Sequence, residues 1–216
     1  MSKFDTTLYF ITDSTGFSEK EFLHIVEEAL KGGVTILQLR EKEKNTREYI
    51  SLAEKVHNLT LRYNVPLIID DRIDVAMAID AEGVHLGQCD MPVHITRKIL
   101  GDEKIIGATA KTIEQATEAY ENGADYLGVG AIYPTTTKVK TVITSVETLK
   151  KIVKAVPIPV NAIGGLNVNN ISVLKNTGIS GICVVSAIMK SERPKAETEK
   201  IKAYFINEIC HKGECI

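Results

Sequence analysis

A chain of 216 residues with 44% hydrophobic and 25% charged residues and a net charge of −2 has the makeup of a globular protein with a sizeable core. No basic stripe appears, which argues against nucleic acid or an acidic membrane surface as a partner. Cys89, Cys183, Cys210 and Cys215 are too scattered for a disulfide framework, and the apolar run in MSKFDTTLYFITD is too short for a signal peptide, so the expected location is cytoplasmic.

Apolar runs and helical segments then alternate. LYFIT at 8–12 is followed by SEKEFLHIVEEALKGG, with Phe22, Ile25, Val26 and Leu30 on one face. Ser18 and Glu21 have capping-box spacing, and Gly32 and Gly33 close that helix. TILQLR at 35–40 precedes NTREYISLAEKVHNLTLRYN. PLIIDD at 66–71 and GVHLG at 83–87 each precede a shorter stretch. KIIGATA at 104–110 leads into TIEQATEAYENGAD, and DYLGVGAIY at 125–133 precedes SVETLKKIVKAV, which Pro157 stops. IPVNAIGG at 158–165 and GICVVSAI at 181–188 complete the series. Most runs are continuously apolar rather than alternating, as in parallel strands buried on both faces. The pattern predicts an α/β fold, a single (β/α)8 TIM barrel spanning 1–216. The short third and fourth units leave a doubly wound open sheet as the alternative.

In a barrel of this kind reactive groups gather at the carboxyl ends of the strands. Gln38, Arg40 and Lys42 end the second strand, Asp70 and Asp71 the third, and Gln88 and Asp90 follow the fourth. Thr109 and Lys111 end the fifth; Thr135, Thr136, Thr137 and Lys138 follow the sixth; Asn161, Gly164 and Gly165 are placed at the end of the seventh, and Ser186 ends the eighth. Asp71 and Asp90 suit Mg2+ held by two carboxylates, water and substrate phosphate. The competing role for each is capping of the helix that follows. Arg40, Lys42 and Lys138 suit a polyphosphate, against a surface network with Glu41 and Glu43. The paired glycines with Ser186 suit a second phosphate. His85, inside a strand, reads as a packed, hydrogen-bonded core histidine. CHKGEC near the tail, at 210–215, reads as incidental.

GGVTILQLREK, DDRIDVAMAIDAEGVHLGQCDMP, IGATAKT, GVGAIYPTTTK, VNAIGG and VVSAI together resemble the thiamine phosphate synthase family over nearly the whole chain. The resemblance implies a (β/α)8 barrel that joins a hydroxymethylpyrimidine diphosphate to a thiazole phosphate and releases pyrophosphate. It places Gln38, Leu39, Arg40, Glu41, Lys42, Asp70, Thr109 and Lys138 at the pyrimidine diphosphate. Asp71 and Asp90 fall on the Mg2+ ligands, and Thr135, Thr136, Thr137, Gly165, Val185 and Ser186 at the thiazole phosphate. Arg40, Lys138 and Thr109 take the catalytic positions. Two positions depart from the family pattern: Asp70 stands where Asn is usual, and Thr109 where Ser is usual. An ionised Asp70 cannot donate to a diphosphate. The expectation is that it becomes a further metal ligand, the alternatives being a protonated carboxyl or neutralisation by a neighbour such as Arg72.

The implied chemistry is Mg2+-assisted departure of pyrophosphate with no protein nucleophile. Two other readings stay open: a relative that isomerises the thiazole ring, which needs a general base in the mouth, and a catalytically silent phosphate-binding sensor. The expected partners are the two small-molecule substrates, and a homo-oligomer stays open.

Overall fold

The computed structural model describes residues 4–134 and 142–210. Eight parallel strands close into a barrel in chain order. They are β1 (Leu8–Ile11), β2 (Ile36–Leu39), β3 (Leu67–Asp70), β4 (Gly83–Leu86), β5 (Ile105–Ala110), β6 (Tyr126–Gly130), β7 (Val160–Ile163) and β8 (Gly181–Val184). Pairing of β1 with β8, in the register Leu8 to Ile182, closes the ring and eliminates the open sheet. The helices are α1 (Glu19–Lys31), α2 (Thr46–Arg62), α3 (Ile73–Ala78), α4 (Val93–Leu100), α5 (Ile113–Glu121), α6 (Val146–Ala155), α7 (Ser186–Met189) and α8 (Pro194–Glu208). The seventh unit carries only a 3-10 turn, Ile171–Leu174. The apolar run at 181–188 splits, its first half becoming β8 and its end α7.

Helix starts follow their sequences. Ser18 and Glu21 form the expected capping box, and Asn45 with Glu48 forms a second. Phe22, Ile25, Val26, Ala29 and Leu30 bury one face of α1. Closing the circle brings α1 against α8, so tightly that a Cβ on Gly32 would lie 2.6 Å from the Thr198 side chain.

Both faces of the strands are covered. Leu8, Phe10, Leu37, Leu39, Leu67 and Ile69 belong to the core shared with the helices. Alternate residues Tyr9, Ile11, Ile36 and Ile68, with Tyr126 and Cys183, fill the barrel interior. Each such side chain contributes roughly 1.5–3 kcal/mol on burial. Gly107 makes room for one of them: a Cβ there would lie 2.1 Å from the Tyr126 ring. Among the described residues no helix is long and apolar enough to cross a membrane.

Candidate active site

Where β3 ends, the backbone turns sharply. Asp70 is the last strand residue, and Asp71 has φ +60°, a left-handed conformation that Asp tolerates better than most side chains. The Asp71 N–H donates to the His85 carbonyl on β4 at 2.9 Å, which ties the turn to the neighbouring strand. Asp90 is set by a tight turn after β4, its Oδ2 accepting from the Gly87 N–H at 2.7 Å. Neither acid caps a helix: the residues flanking α3 and α4 are Arg72 and Pro92, and neither makes a side-chain cap.

These turns bring the Asp71 and Asp90 carboxyls into hydrogen-bond contact. Two carboxylates this close cannot both ionise at their ordinary values. Burial pulls Asp71 upward, but contact with Lys42 and then Asp90 outweighs it and holds Asp71 below the usual range. Burial and then Asp71 push Asp90 above it.

Arg40 and Lys42 face the acids rather than Glu41 and Glu43. Lys42 Nζ lies 2.8 Å from Asp70 Oδ2 and directly against Asp71 Oδ2. Burial opposes its charge, but Asp70 and Asp71 keep its ammonium harder to deprotonate than usual. Arg40 Nε is 3.7 Å from Asp70 Oδ2. Asp70 is only 8% exposed, and burial, reinforced by Asp71, pushes its carboxyl up despite Lys42 and Arg40. The two partners pull in opposite senses here. The close Lys42 contact carries the electrostatics of the pair, and depth of burial accounts for Asp70.

Asp70 Oδ2 is engaged with Lys42 and Arg40. Among the described residues no group of three or more His, Cys, Asp or Glu side chains is arranged to hold a metal. Its neutralising neighbours are Lys42 and Arg40; Arg72 is engaged with Asp74 and Thr46. Two carboxylates without a third suit Mg2+, which commonly takes one or two carboxylates and completes its shell with water and phosphate oxygens.

Other expected residues scatter by side-chain direction. Gln38 points into the barrel and donates from Nε2 to the Tyr9 hydroxyl at 2.8 Å. Leu39 points outward into the core with the helices, and its carbonyl accepts from Tyr49. Glu41 turns to the β1–α1 loop, where Oε2 accepts from Ser14 at 2.8 Å. Thr109 faces inward, its Oγ1 3.0 Å from His85 Nε2. Lys111 donates its N–H to Gln115.

The far side of the mouth is built from backbone. Gly164 and Gly165 have φ +107° and +63°. A Cβ on Gly165 would lie 2.9 Å from Tyr133 and Pro134 atoms, so only glycine fits without a shift. The Gly165 carbonyl accepts from Asn170 Nδ2. Val185 packs against the core and the exposed Ser186 opens α7. Thr135, Thr136, Thr137 and Lys138 lie outside the described residues.

Three readings need correction or extension. Asn161 lies near the start of β7, where Nδ2 donates to the Thr6 carbonyl at 2.7 Å, away from the mouth. Cys210 is disulfide-bonded, which the scattered cysteines did not signal. His85 is the hydrogen-bonded interior histidine expected, but Tyr9 and Tyr126, which link it to Gln38, carry no sequence signal beyond apolar strand character.

The model of the family described as thiamine monophosphate synthase matches residues 8–188. The chain belongs to that family. A thiamine-phosphate synthase of Ruminiclostridium cellulolyticum is 50% identical over 96% of this chain and 99% of its own. One from Clostridium tetani is 48% identical over 93% and 96%. A solved thiamine phosphate pyrophosphorylase from Pyrococcus furiosus superposes with a TM-score of 0.85 at 40% identity, covering 94% of this chain and 97% of that one. A 3-hexulose-6-phosphate synthase with TM-score 0.72 and 14% identity shares the barrel alone. The match at 8–188 runs from the first strand into α7, so it spans the described rim residues of the family's barrel.

Proposed function

We propose that this protein is a thiamine phosphate synthase. It joins 4-amino-2-methyl-5-hydroxymethylpyrimidine diphosphate to 4-methyl-5-(2-phosphooxyethyl)thiazole and releases pyrophosphate. The observation that carries the reading is near-full-length family membership; the opposed acids and cations on the β2–β4 side of the mouth support it.

Asp71 and Asp90 would hold Mg2+, which supplies positive charge to the departing diphosphate. Arg40 and Lys42 bring further charge to the same oxygens, with Lys138 assigned there by resemblance. An arginine fork gives directed hydrogen bonds and a lysine a movable point charge. Lys42 already neutralises Asp70 and Asp71, so it can pass from those acids to an arriving diphosphate without ever lacking a counter-charge. Gly165 and Ser186 would cradle the thiazole phosphate with a close backbone and a hydroxyl. Thr109 offers a hydroxyl to the pyrimidine side. Once pyrophosphate departs, the pyrimidine methylene is electron-poor, and the thiazole nitrogen attacks it. No side chain forms a covalent bond to substrate.

The test is incubation of the full chain with both substrates and Mg2+. Thiamine phosphate and pyrophosphate should form in equal amounts. A thiazole ring isomerised but not joined would reassign the protein as a tautomerase. Tight binding with no product would make it a sensor.

A further inference from the structure

Five polar side chains cross the barrel interior as one hydrogen-bonded line. Gln38 Nε2 on β2 donates to the Tyr9 hydroxyl on β1 at 2.8 Å. The Tyr9 and Tyr126 hydroxyls are 2.7 Å apart, which joins β1 to β6. Tyr126 Oη is 3.1 Å from His85 Nδ1 on β4, and His85 Nε2 is 3.0 Å from Thr109 Oγ1 on β5. The interior is cut to fit this line. Gly107 vacates the space of the Tyr126 ring, and a Cβ on Gly128 would press the His85 ring at 3.3 Å. Tyr9 and Tyr126 are fully enclosed, and burial pushes both phenols well above their ordinary range, so each keeps one proton and must place it.

We infer that the line is a one-way relay which fixes the hydrogen-bond polarity of its two ends, with Tyr9, Tyr126 and His85 as positioning residues. The Gln38 amide presents N–H to Tyr9, so Tyr9 accepts there and donates to Tyr126. Tyr126 then donates to His85 Nδ1, which holds a lone pair. The imidazole proton sits on Nε2 and is donated to Thr109. Thr109 accepts that proton's hydrogen bond and has its own hydroxyl proton free to donate elsewhere. The opposite direction strands the Tyr9 proton against an amide N–H, leaving a buried donor unmet.

The ends follow from the middle. Gln38 keeps its Oε1 acceptor for a substrate donor, and Thr109 keeps an O–H donor for a substrate acceptor. An aminopyrimidine carries one of each. This assignment of the ends to substrate rests on the proposed synthase reading; the direction of the relay does not.

Neutron diffraction from perdeuterated crystals of the full chain tests it. Deuterium should lie on Tyr126 Oη facing His85 and on His85 Nε2 facing Thr109, with Nδ1 bare. Deuterium on Nδ1, or a Gln38 carbonyl facing Tyr9, overturns the relay. A second readout is the nitrogen spectrum of His85, assigned by its loss in His85→Asn. Wild type should show the Nε2–H tautomer alone, and Tyr126→Phe, which keeps the ring, should show both. An unchanged single tautomer in Tyr126→Phe also overturns it. Neither readout requires turnover, so an inactive protein with an intact relay would refute the synthase reading and leave the relay standing.

Discussion

The two sides of the mouth are built on different principles. On the β2–β4 side, side chains do the organising: Lys42 bridges Asp70 and Asp71, Asp71 contacts Asp90, and Arg40 stands behind. On the β7–β8 side the backbone does it, through Gly164 and Gly165 with positive φ and Ser186 at the start of α7. Charge is concentrated where the proposed leaving group carries most of it. The other rim offers close approach, which suits a phosphate that is held and not broken. On the proposed assignment, the phosphate that departs and the phosphate that stays have opposite surroundings within one pocket.

Breaking the charged side should have the larger effect. Asp71→Ala or Asp90→Ala should lower turnover at least about a hundredfold, because a metal's charge stabilisation is worth several kcal/mol. Circular dichroism should show an unchanged fold. Wild-type turnover in either variant would erase the distinction between the two rims.

Lys138→Ala and Ser186→Ala separate the sides. Loss of one charge-assisted hydrogen bond costs about 1.5–3 kcal/mol. Single-turnover kinetics should show slowed pyrophosphate release in Lys138→Ala with thiazole phosphate affinity retained. Calorimetry should show weakened thiazole phosphate binding in Ser186→Ala with diphosphate affinity retained. Equal losses for both ligands in both variants would mean that the pocket is not divided.

The pH dependence sharpens the charged side. Asp90 is a weaker acid than usual because of burial and Asp71, and metal binding requires its ionised form. Protons compete with Mg2+ below the raised pKa of Asp90, so the Mg2+ needed for half-maximal rate should rise as pH falls through that value. Asp90→Asn should flatten the profile; an equally steep rise in that variant would assign the titration elsewhere.

The smallest effect is expected at Asp70. Because it pairs with Lys42 and Arg40, Asp70→Asn should leave the Mg2+ requirement unchanged and bind diphosphate a few-fold tighter, with one negative charge gone from its side. A raised Mg2+ requirement would place Asp70 on the metal.

The barrel was legible because strands buried on both faces must be apolar throughout, and Ser18 and Glu21 marked a helix start by a hydrogen-bond pattern that is local in sequence. Asn161 misled because it stands second in a four-residue strand and its side chain reaches back to the Thr6 carbonyl ahead of β1. The partner of Asp70 was not legible. Its neighbours along the chain include Arg72, but the pairing is made across strands by long side chains whose rotamers sequence does not specify. The interior relay was hidden for a related reason: Tyr9 and Tyr126 read as apolar strand residues, and only closure of the sheet brings their hydroxyls together.

The most direct test of the account is product formation with divalent metal removed and then restored. Full chain treated with chelator, mixed with the pyrimidine diphosphate and the thiazole phosphate, should yield no thiamine phosphate above background, and added Mg2+ should restore its formation with stoichiometric pyrophosphate. Undiminished product without divalent metal, or no product after Mg2+ is restored, would contradict it.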